Sequence, residues 1–405
     1  MPVIDPRRFL ADLEELSSIG RFKTGVSRPT FSAADQQARA WLANRLHAAG
    51  LRAVIDGIGN VIGCSPGAGP KLLLGSHIES QPEAGRLDGA LGLLMGLEVA
   101  RALRDDPDCA GLGVDVAAWA DEEAYYGSFL GSRSFIGELT EAEMDSAVHR
   151  TDGTPLRTAL REAGYSGPRA TVEQGRHLGY LEAHVEQGDY LEQAGHRIGI
   201  VTGIVGSWQY RVIAYGQQNH AGTTRMAARK DAGLALAKLI VAIDQQFPKV
   251  AGARSVWTVG RVVLEPGAPS VIPGRAELSF QFRDADIAVL QRMGAAFDDL
   301  IAEANRGPCA IETIRLSQTR PALMAENLLA NLEVAAELHA PARHTRMPSA
   351  AGHDAQILSR AMPAAMLFVP SIGGISHHWS EDTHCDDMVL GTQILADSVA
   401  AILRA

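Results

Sequence analysis

The chain has 405 residues, of which 46% are hydrophobic and 21% charged, and such a chain is long enough for two or three globular domains. Its formal net charge of -10 argues against nucleic acid or an anionic membrane as the main partner. It has no apolar run long enough for a transmembrane helix, no signal-peptide core and four widely spaced cysteines. This pattern favours a reducing compartment, so we expect a cytoplasmic protein.

The order of predicted elements indicates an α/β fold with an insertion. Strand-like and helix-like segments alternate through the first two hundred residues, which predicts a mostly parallel sheet flanked by helices. Between residues 207 and 320 the pattern changes to a few half-exposed strands and two long helices, which is typical of a small α+β domain. We therefore predict one catalytic domain, residues 1–206 and 321–405, interrupted by an inserted lid or dimerisation domain, residues 207–320.

The first candidate site residues follow two strand-like runs. The apolar run 71–74 leads to His77, and Asp88 comes just before a segment with helical periodicity. A second strand-like run leads to Glu122 and Glu123. Open α/β sheets build their sites at the carboxyl ends of neighbouring parallel strands. An imidazole and several carboxylates gathered there indicate a divalent ion such as zinc or manganese.

Later histidines extend this set of candidate metal ligands. One lies at position 184 in the motif EAHVEQG, and another at position 377 in GISHHWSE. Two tetrahedral ions that share a bridging carboxylate need about five protein ligands. The chain offers His77, Asp88, Glu123, His184 and His377. Glu122 then lies next to a ligand and is free to act as a base.

Five motifs, in the same order, resemble the M20-type metallo-amidohydrolases. They are GSHIES with LDGALG, DEE, EAHVEQG, NHAGTT and GISHHWSE, and the resemblance extends over nearly the whole chain. The histidine in EAHVEQG is typical of the hydantoinase/carbamoylase branch, which includes N-carbamoyl-L-amino-acid hydrolases, β-ureidopropionases and allantoate amidohydrolases. The resemblance implies a homodimer with two divalent ions per subunit, whether zinc, manganese, cobalt or nickel.

The resemblance also implies how the ligands are shared. His77 and His184 would bind one ion, Glu123 and His377 would bind the other, and Asp88 would bridge the two. Only one of the neighbouring histidines 377 and 378 can easily point inward, and the family pattern favours the first.

Further roles are implied for residues that act on the substrate. Glu122 would be the general base that activates water and later protonates the leaving nitrogen. His220 would stabilise the tetrahedral intermediate across the subunit boundary. Arg283, on the polar side of an alternating strand, would bind the substrate carboxylate with its planar fork. Other matches to substrate-side segments are Gln187 and the loop of Gly352, His353 and Asp354, and Ser270 is a further expected substrate contact.

Three departures from the family pattern surround this metal core. Glu79 stands where relatives usually have an aspartate, and a longer acid can still orient His77. Tyr125 and Tyr126 replace an Arg-Phe pair, and Ser270 replaces an asparagine. We therefore expect the substrate to differ more than the reaction.

These observations lead to one main hypothesis and two alternatives. The first is a binuclear metal-dependent hydrolase of a linear amide or N-carbamoyl group on a small carboxylate-bearing substrate. The second keeps the chemistry but acts on an N-acyl-amino acid or a dipeptide-like amide. The third is a catalytically silent ligand-binding relative, which the complete set of ligands and base disfavours.

Overall fold

The computed structural model describes residues 1–67 and 69–405, and no helix within them is long and apolar enough to cross a membrane. The α-helices are α1 (Pro6–Ser18), α2 (Ala33–Ala48), α3 (Ala90–Asp105), α4 (Leu130–Phe135), α5 (Glu141–Ser146), α6 (Leu156–Glu162), α7 (Tyr190–Ala194), α8 (Ala232–Gln246), α9 (Ile287–Ala304), α10 (Glu326–His339), α11 (Ala355–Leu358) and α12 (Cys385–Arg404).

The strands are β1 (Arg21–Phe22), β2 (Gly25–Val26), β3 (Arg52–Ile55), β4 (Val61–Cys64), β5 (Lys71–His77), β6 (Val114–Trp119), β7 (His177–Val185), β8 (Ile198–Ile204), β9 (Gly206–Tyr215), β10 (Asn219–His220), β11 (Val256–Glu265), β12 (Val271–Ile272), β13 (Arg275–Asp284), β14 (Ala310–Gln318), β15 (Ala322–Leu323), β16 (His344–Ser349) and β17 (Ala364–Val369).

The chain divides into two compact units. The larger unit contains Met1–Thr202, Leu323–Met347 and Ala351–Ala405, whereas the smaller unit contains Gly203–Ala322 and Pro348–Ala350. The smaller unit's action as a lid or dimerisation domain stays a prediction.

The larger unit is built on a nine-stranded sheet with the order β15-β8-β17-β7-β5-β6-β4-β3, and β16 also pairs with β8. Its central strands β6, β5, β7 and β17 run parallel, while β4 joins β6 and β8 joins β17 antiparallel. The predicted α/β class with flanking helices is confirmed, and the sheet is mixed, with its parallel strands in the centre. The carboxyl ends of these four strands lie at one edge, because parallel strands end on the same side.

Helix α3 comes close to the central strands through two glycines. It packs against β5, β6 and β7, and its residues from the first to the fourteenth position are buried. A Cβ on Gly92 would lie 1.7 Å from the carbonyl oxygen of Ala183, so only glycine permits this approach of α3 to β7. Gly89 precedes the helix with a φ of 65°, and a Cβ there would lie 2.5 Å from the His77 ring. Both glycines therefore shape the surroundings of the candidate site.

The smaller unit packs two helices against a four-stranded antiparallel sheet. The strand order is β11-β13-β9-β14, and both α8 and α9 contact β13 and β9. Burial alternates along β13, where Leu278, Phe280 and Phe282 join an apolar core that also contains Phe247 and Phe297. The alternate residues Ser279, Gln281 and Arg283 point away from that core, as the alternation of a strand requires.

Candidate metal centre

The carboxyl ends of the four central strands carry the predicted ligands. His77 is the last residue of β5, and His184 is the penultimate residue of β7. Glu122 and Glu123 follow the end of β6, and His377 lies in the loop after β17. The register places the ends of β5 and β6 level, since His77 pairs with Trp119. Segments that are far apart in sequence therefore converge at this edge of the sheet.

Two groups of side chains form around Asp88. The histidine-pair group consists of His77, Asp88 and His184, and the Glu123 group consists of Asp88, Glu123 and His377; within each, potential ligand atoms lie within 4.8 Å of one another. Asp88 Oδ1 lies 3.5 Å from His77 Nε2 and 3.3 Å from His184 Nε2. Asp88 Oδ2 lies 3.3 Å from His377 Nε2, which is 3.8 Å from Glu123 Oε2. Asp88 thus presents one oxygen to each group, as a bridging carboxylate would.

Main-chain contacts fix which ring nitrogen of the two buried histidines is free. His77 Nδ1 lies 3.0 Å from the carbonyl oxygen of Glu79, and His184 Nδ1 lies 2.9 Å from that of Val185. A carbonyl oxygen only accepts, so each Nδ1 carries the hydrogen. The Gly89 N–H donates to His184 Nε2 at 3.1 Å, which agrees with this assignment. Nε2 is therefore the unprotonated nitrogen of each ring, the atom through which the histidine would bind an ion.

Burial and crowding control the acidity of the carboxyl groups. Burial alone would raise the pKa of Asp88, but the neighbouring imidazoles of His184 and His377 hold it well below its ordinary value. Burial raises the pKa of Glu122 well above its ordinary value, and the charge of Glu123 acts in the same direction. Burial and the charge of Asp88 likewise raise the pKa of Glu123. Crowded buried carboxylates favour a compensating positive charge, and this donor set fits divalent ions such as zinc or manganese.

Glu122 lies beside the histidine-pair group. Its Oε2 is 3.7 Å from His77 Nε2, and its side chain is 11% exposed. Its main-chain N–H donates to Glu79 Oε1 at 2.8 Å, while Glu79 Oε2 accepts from the buried Arg39 at 2.6 Å. Arg39 also pairs with Asp35 at 2.9 Å. The Glu79 carboxylate thus supports the Glu122 backbone and the buried guanidinium of Arg39. Glu79 contacts His77 through its main-chain carbonyl and not through its carboxylate.

Two buried acids near the site had no predicted role of their own. Glu182 accepts from the Ser76 hydroxyl and from the Ala355 N–H, both at 2.8 Å. Asp354 accepts from the Ser132 hydroxyl at 2.6 Å. Burial raises the pKa of both carboxyl groups, and the charge of Glu182 raises that of Asp354 further. Glu182 lies two residues before His184 on one strand, and this spacing was a usable signal because it places both on one face.

A third acid, also without a predicted role, supports the loop that carries Asp88. Glu381 Oε1 accepts from the Asp88 N–H at 3.1 Å, and its Oε2 accepts from the Ser376 hydroxyl at 2.9 Å. Gln187 Nε2 donates to Asp88 Oδ2 at 3.2 Å and to Ser376 Oγ at 3.1 Å. Gln187, expected on the substrate side, therefore lies against the shared carboxylate.

The remaining predictions in the larger unit concern the glycine-histidine pair at 352–353 and the choice between neighbouring histidines. His353 is 2% exposed, and its ring centroid lies 4.5 Å from that of His184. A substrate contact for Gly352 or His353 stays a prediction. His378 Nδ1 lies 2.7 Å from the Ser380 hydroxyl. Of the two neighbours, the histidine at 377 is the one that lies within the Glu123 group.

In the smaller unit, main-chain contacts also fix the His220 ring. Its Nδ1 accepts from the N–H of Gly222 at 3.0 Å and from that of Thr223 at 3.2 Å. The neutral ring therefore carries its hydrogen on Nε2 and is a donor through that atom. The carbonyl of Ser270 accepts from the Ala221 N–H at 2.9 Å and so anchors this loop.

Arg283 lies on the polar side of β13 in the smaller unit. Its Nη1 donates to the Ala350 carbonyl at 3.1 Å, and its Nη2 donates to Gln281 Oε1 at 3.3 Å. Burial lowers its pKa. Within residues 1–67 and 69–405, no carboxylate pairs with its guanidinium, and its contact with a substrate carboxylate stays a prediction.

Comparison with known proteins identifies the family. The profile of Peptidase family M20/M25/M40 matches residues 73–401. An N-carbamoyl-L-amino-acid amidohydrolase of Pseudomonas sp. (strain NS671) is 31% identical over 98% of this chain and 98% of its own length. An allantoate amidohydrolase of Bacillus subtilis (strain 168) is 31% identical over 92% of each chain.

Solved structures agree with this result. The amidase of the hydantoinase/carbamoylase family from Burkholderia phymatum superposes with a TM-score of 0.94 at 45% sequence identity, and the match covers 100% of this chain and 99% of that one. The resemblance carried by the five motifs is thus confirmed, and the chain belongs to peptidase family M20/M25/M40 and, within it, to the hydantoinase/carbamoylase group.

Proposed function

We propose that this chain is a metal-dependent amidohydrolase that cleaves a linear N-carbamoyl (ureido) or amide bond in a small carboxylate-bearing substrate. The observation that carries the proposal is the position of Asp88, which presents one oxygen to each ligand group. Relatives named N-carbamoyl-L-amino-acid amidohydrolase and allantoate amidohydrolase support this class of bond.

The five ligands divide into two ion sites with a shared bridge. His77 and His184 would hold one ion through Nε2, Glu123 and His377 would hold the other, and Asp88 would serve both. When bound, two divalent ions (zinc, manganese, cobalt or nickel) polarise the scissile carbonyl and lower the pKa of water.

Glu122 performs the proton transfers. It takes a proton from the attacking water and returns it to the leaving nitrogen, and burial supports this role by raising its pKa well above the ordinary value of a glutamate. With an N-carbamoyl substrate, the bond between the carbamoyl carbon and the amino acid nitrogen breaks. The amino acid leaves, and the carbamic acid decomposes to ammonia and carbon dioxide.

The smaller unit supplies two groups that act on the substrate. His220 donates from Nε2 to the developing oxyanion, and the Nδ1 contacts described above favour the required tautomer. Arg283 binds the substrate carboxylate with its two-pronged guanidinium. We further propose a homodimer in which His220 serves the neighbouring subunit.

A substrate panel tests the proposal. Protein reconstituted separately with zinc, manganese, cobalt or nickel is assayed with N-carbamoyl, ureido and N-acyl amino acids. Ammonia and carbon dioxide from the carbamoyl and ureido compounds are the expected products. A free organic acid from the N-acyl compounds alone would favour the alternative, which the Tyr125-Tyr126 and Ser270 departures motivate. No turnover with any metal, in protein that binds two ions, would contradict the proposal.

A further inference from the structure

Gln81 holds both oxygens of the Glu123 carboxylate. Its main-chain N–H donates to Glu123 Oε1 at 3.2 Å, and its side-chain Nε2 donates to Oε2 at 2.7 Å. The same Nε2 donates to the Glu123 main-chain carbonyl at 3.1 Å. Each carboxylate oxygen has two lone pairs, so each keeps one for a cation. Glu123 is thus fixed from the loop after β5 without losing its capacity as a ligand.

Arg150 determines which way the Gln81 amide points. Its Nη2 donates to Gln81 Oε1, and its Nη1 donates to the Glu123 carbonyl at 3.0 Å. Arginine offers only donors, so it selects the orientation in which the Gln81 oxygen faces the guanidinium. The NH₂ group must then face the Glu123 carboxylate.

Tyr125 provides the support for Arg150. The guanidinium carbon lies 4.2 Å from the centroid of the Tyr125 ring, and the Arg150 N–H donates to the Tyr125 carbonyl at 2.8 Å. The Tyr125 hydroxyl donates to the Ser80 carbonyl at 2.9 Å. The His149 ring stacks on the Tyr125 ring, with 5.5 Å between the two centroids. The residue that departs from the family pattern therefore connects Arg150 to the Gln81 loop.

The Glu123 group needs this support more than the histidine-pair group does. The side chains of His77 and His184 are 2% and 1% exposed, and each is anchored by a main-chain carbonyl. The side chain of His377 is 51% exposed. An exposed ligand is held less firmly, so the orientation of the buried Glu123 contributes more to binding at this group.

We propose that Gln81 is a positioning residue that, oriented by Arg150 on Tyr125, sets the affinity of the Glu123 group for its divalent ion. The inference rests on the proposed function, because it takes this group as an ion site. Groups that hold metal ligands through hydrogen bonds typically change metal affinity by about 10- to 100-fold when they are removed.

The experiment measures metal binding by the full-length chain. Metal-free protein is titrated with Co²⁺, bound ions are counted by equilibrium dialysis, and the cobalt absorption spectrum is recorded. The variants are Gln81→Met, Gln81→Glu, Arg150→Met and the double Met variant. The matched controls are Gln37→Met and Arg161→Met, at exposed positions of α2 and α6.

We expect Gln81→Met to weaken the second ion about 10- to 100-fold and to leave the first unchanged. Gln81→Glu keeps the size and the Arg150 contact but removes the donor, so it should cause the same loss even if Gln81→Met folds poorly. Arg150→Met should weaken the same ion less. It should add little in the Gln81→Met background, because it acts through Gln81.

Two outcomes in the Gln81 variants would overturn the inference alone. If both Gln81 variants bind two ions with the affinity of wild type, Gln81 does not position the ligand. If they weaken both ions equally, Gln81 supports the loop in general. A wild-type chain that binds no second ion would overturn the two-ion proposal itself, and this inference with it.

Discussion

Glu122 differs from the neighbouring carboxylates in how it is held. Its backbone is fixed by Glu79, which is itself paired with the buried Arg39. Its carboxylate lies close to His77 but outside both three-residue ligand groups. This arrangement suits a group that transfers protons and does not bind an ion.

Replacing this acid by its amide should separate binding from chemistry. We expect Glu122→Gln to keep both ions and the fold, while kcat falls by about two to four orders of magnitude, because a positioned proton-transfer group contributes that much. Metal analysis and steady-state kinetics check this, with Glu162→Gln at an exposed position as control. Near-normal turnover in Glu122→Gln would mean that another group is the base.

Arg283 should make the enzyme selective for substrates that carry a carboxylate. Arg283→Ala and Arg283→Lys should both lose kcat/KM, by about 2–5 kcal/mol, because a desolvated charge pair is broken and lysine lacks the two-pronged geometry. The exposed Arg292→Ala in α9 is the control.

A modified substrate makes this test specific. Conversion of the substrate carboxylate to a neutral amide should reduce kcat/KM of wild type much more than that of Arg283→Ala. Equal losses in both proteins would show that Arg283 does not recognise the carboxylate.

At the scale of elements, the contact between α3 and β7 holds the site together. We expect Gly92→Ala to lower the free energy of unfolding by about 1–3 kcal/mol, because its Cβ would overlap the Ala183 carbonyl in a packed core. Gly96→Ala on the same helix is the control, since its Cβ would meet the Leu74 Cβ at 3.1 Å and Val116 Cγ1 at 3.6 Å, without overlapping a carbonyl oxygen. Denaturant unfolding measures both, and equal stabilities would contradict this account of the contact.

The regular elements could be predicted because their apolar pattern is local. The segment 90–103, predicted from its helical periodicity, lies within α3, and the run 71–74 lies within β5. β7 was harder to predict because Glu182 and His184 interrupt its apolar pattern. These two side chains find partners in Ser76 and Gly89, about a hundred residues away in sequence, and no local pattern reports such partners.

The same limit applies to the candidate site. The motifs located the ligands that the structure brings together around Asp88. The contact of Gln81 with Arg150 could not be predicted, because it joins two loops 69 residues apart. The contact of Asp88 with Glu381 likewise spans 293 residues. Such contacts depend on the assembled sheet.

At the scale of the whole molecule, the proposed dimer has a direct test. If His220 serves the neighbouring subunit, a mixed dimer of a His220→Ala subunit and an Asp88→Ala subunit retains one complete site. We expect co-refolded mixtures to recover activity that neither parent dimer shows, measured as turnover against the mixing ratio. Complete inactivity of the mixed dimer, with both parents folded, would count against action across the boundary.

Metal content per chain tests most directly whether two divalent ions share the Asp88 carboxylate. Wild type reconstituted with zinc or manganese should bind two ions, whereas Asp88→Ala should lose or weaken both, because each ligand group uses one oxygen of this carboxylate. His184→Ala and His377→Ala should each weaken mainly one ion. Unchanged metal stoichiometry and affinity in Asp88→Ala would contradict the account.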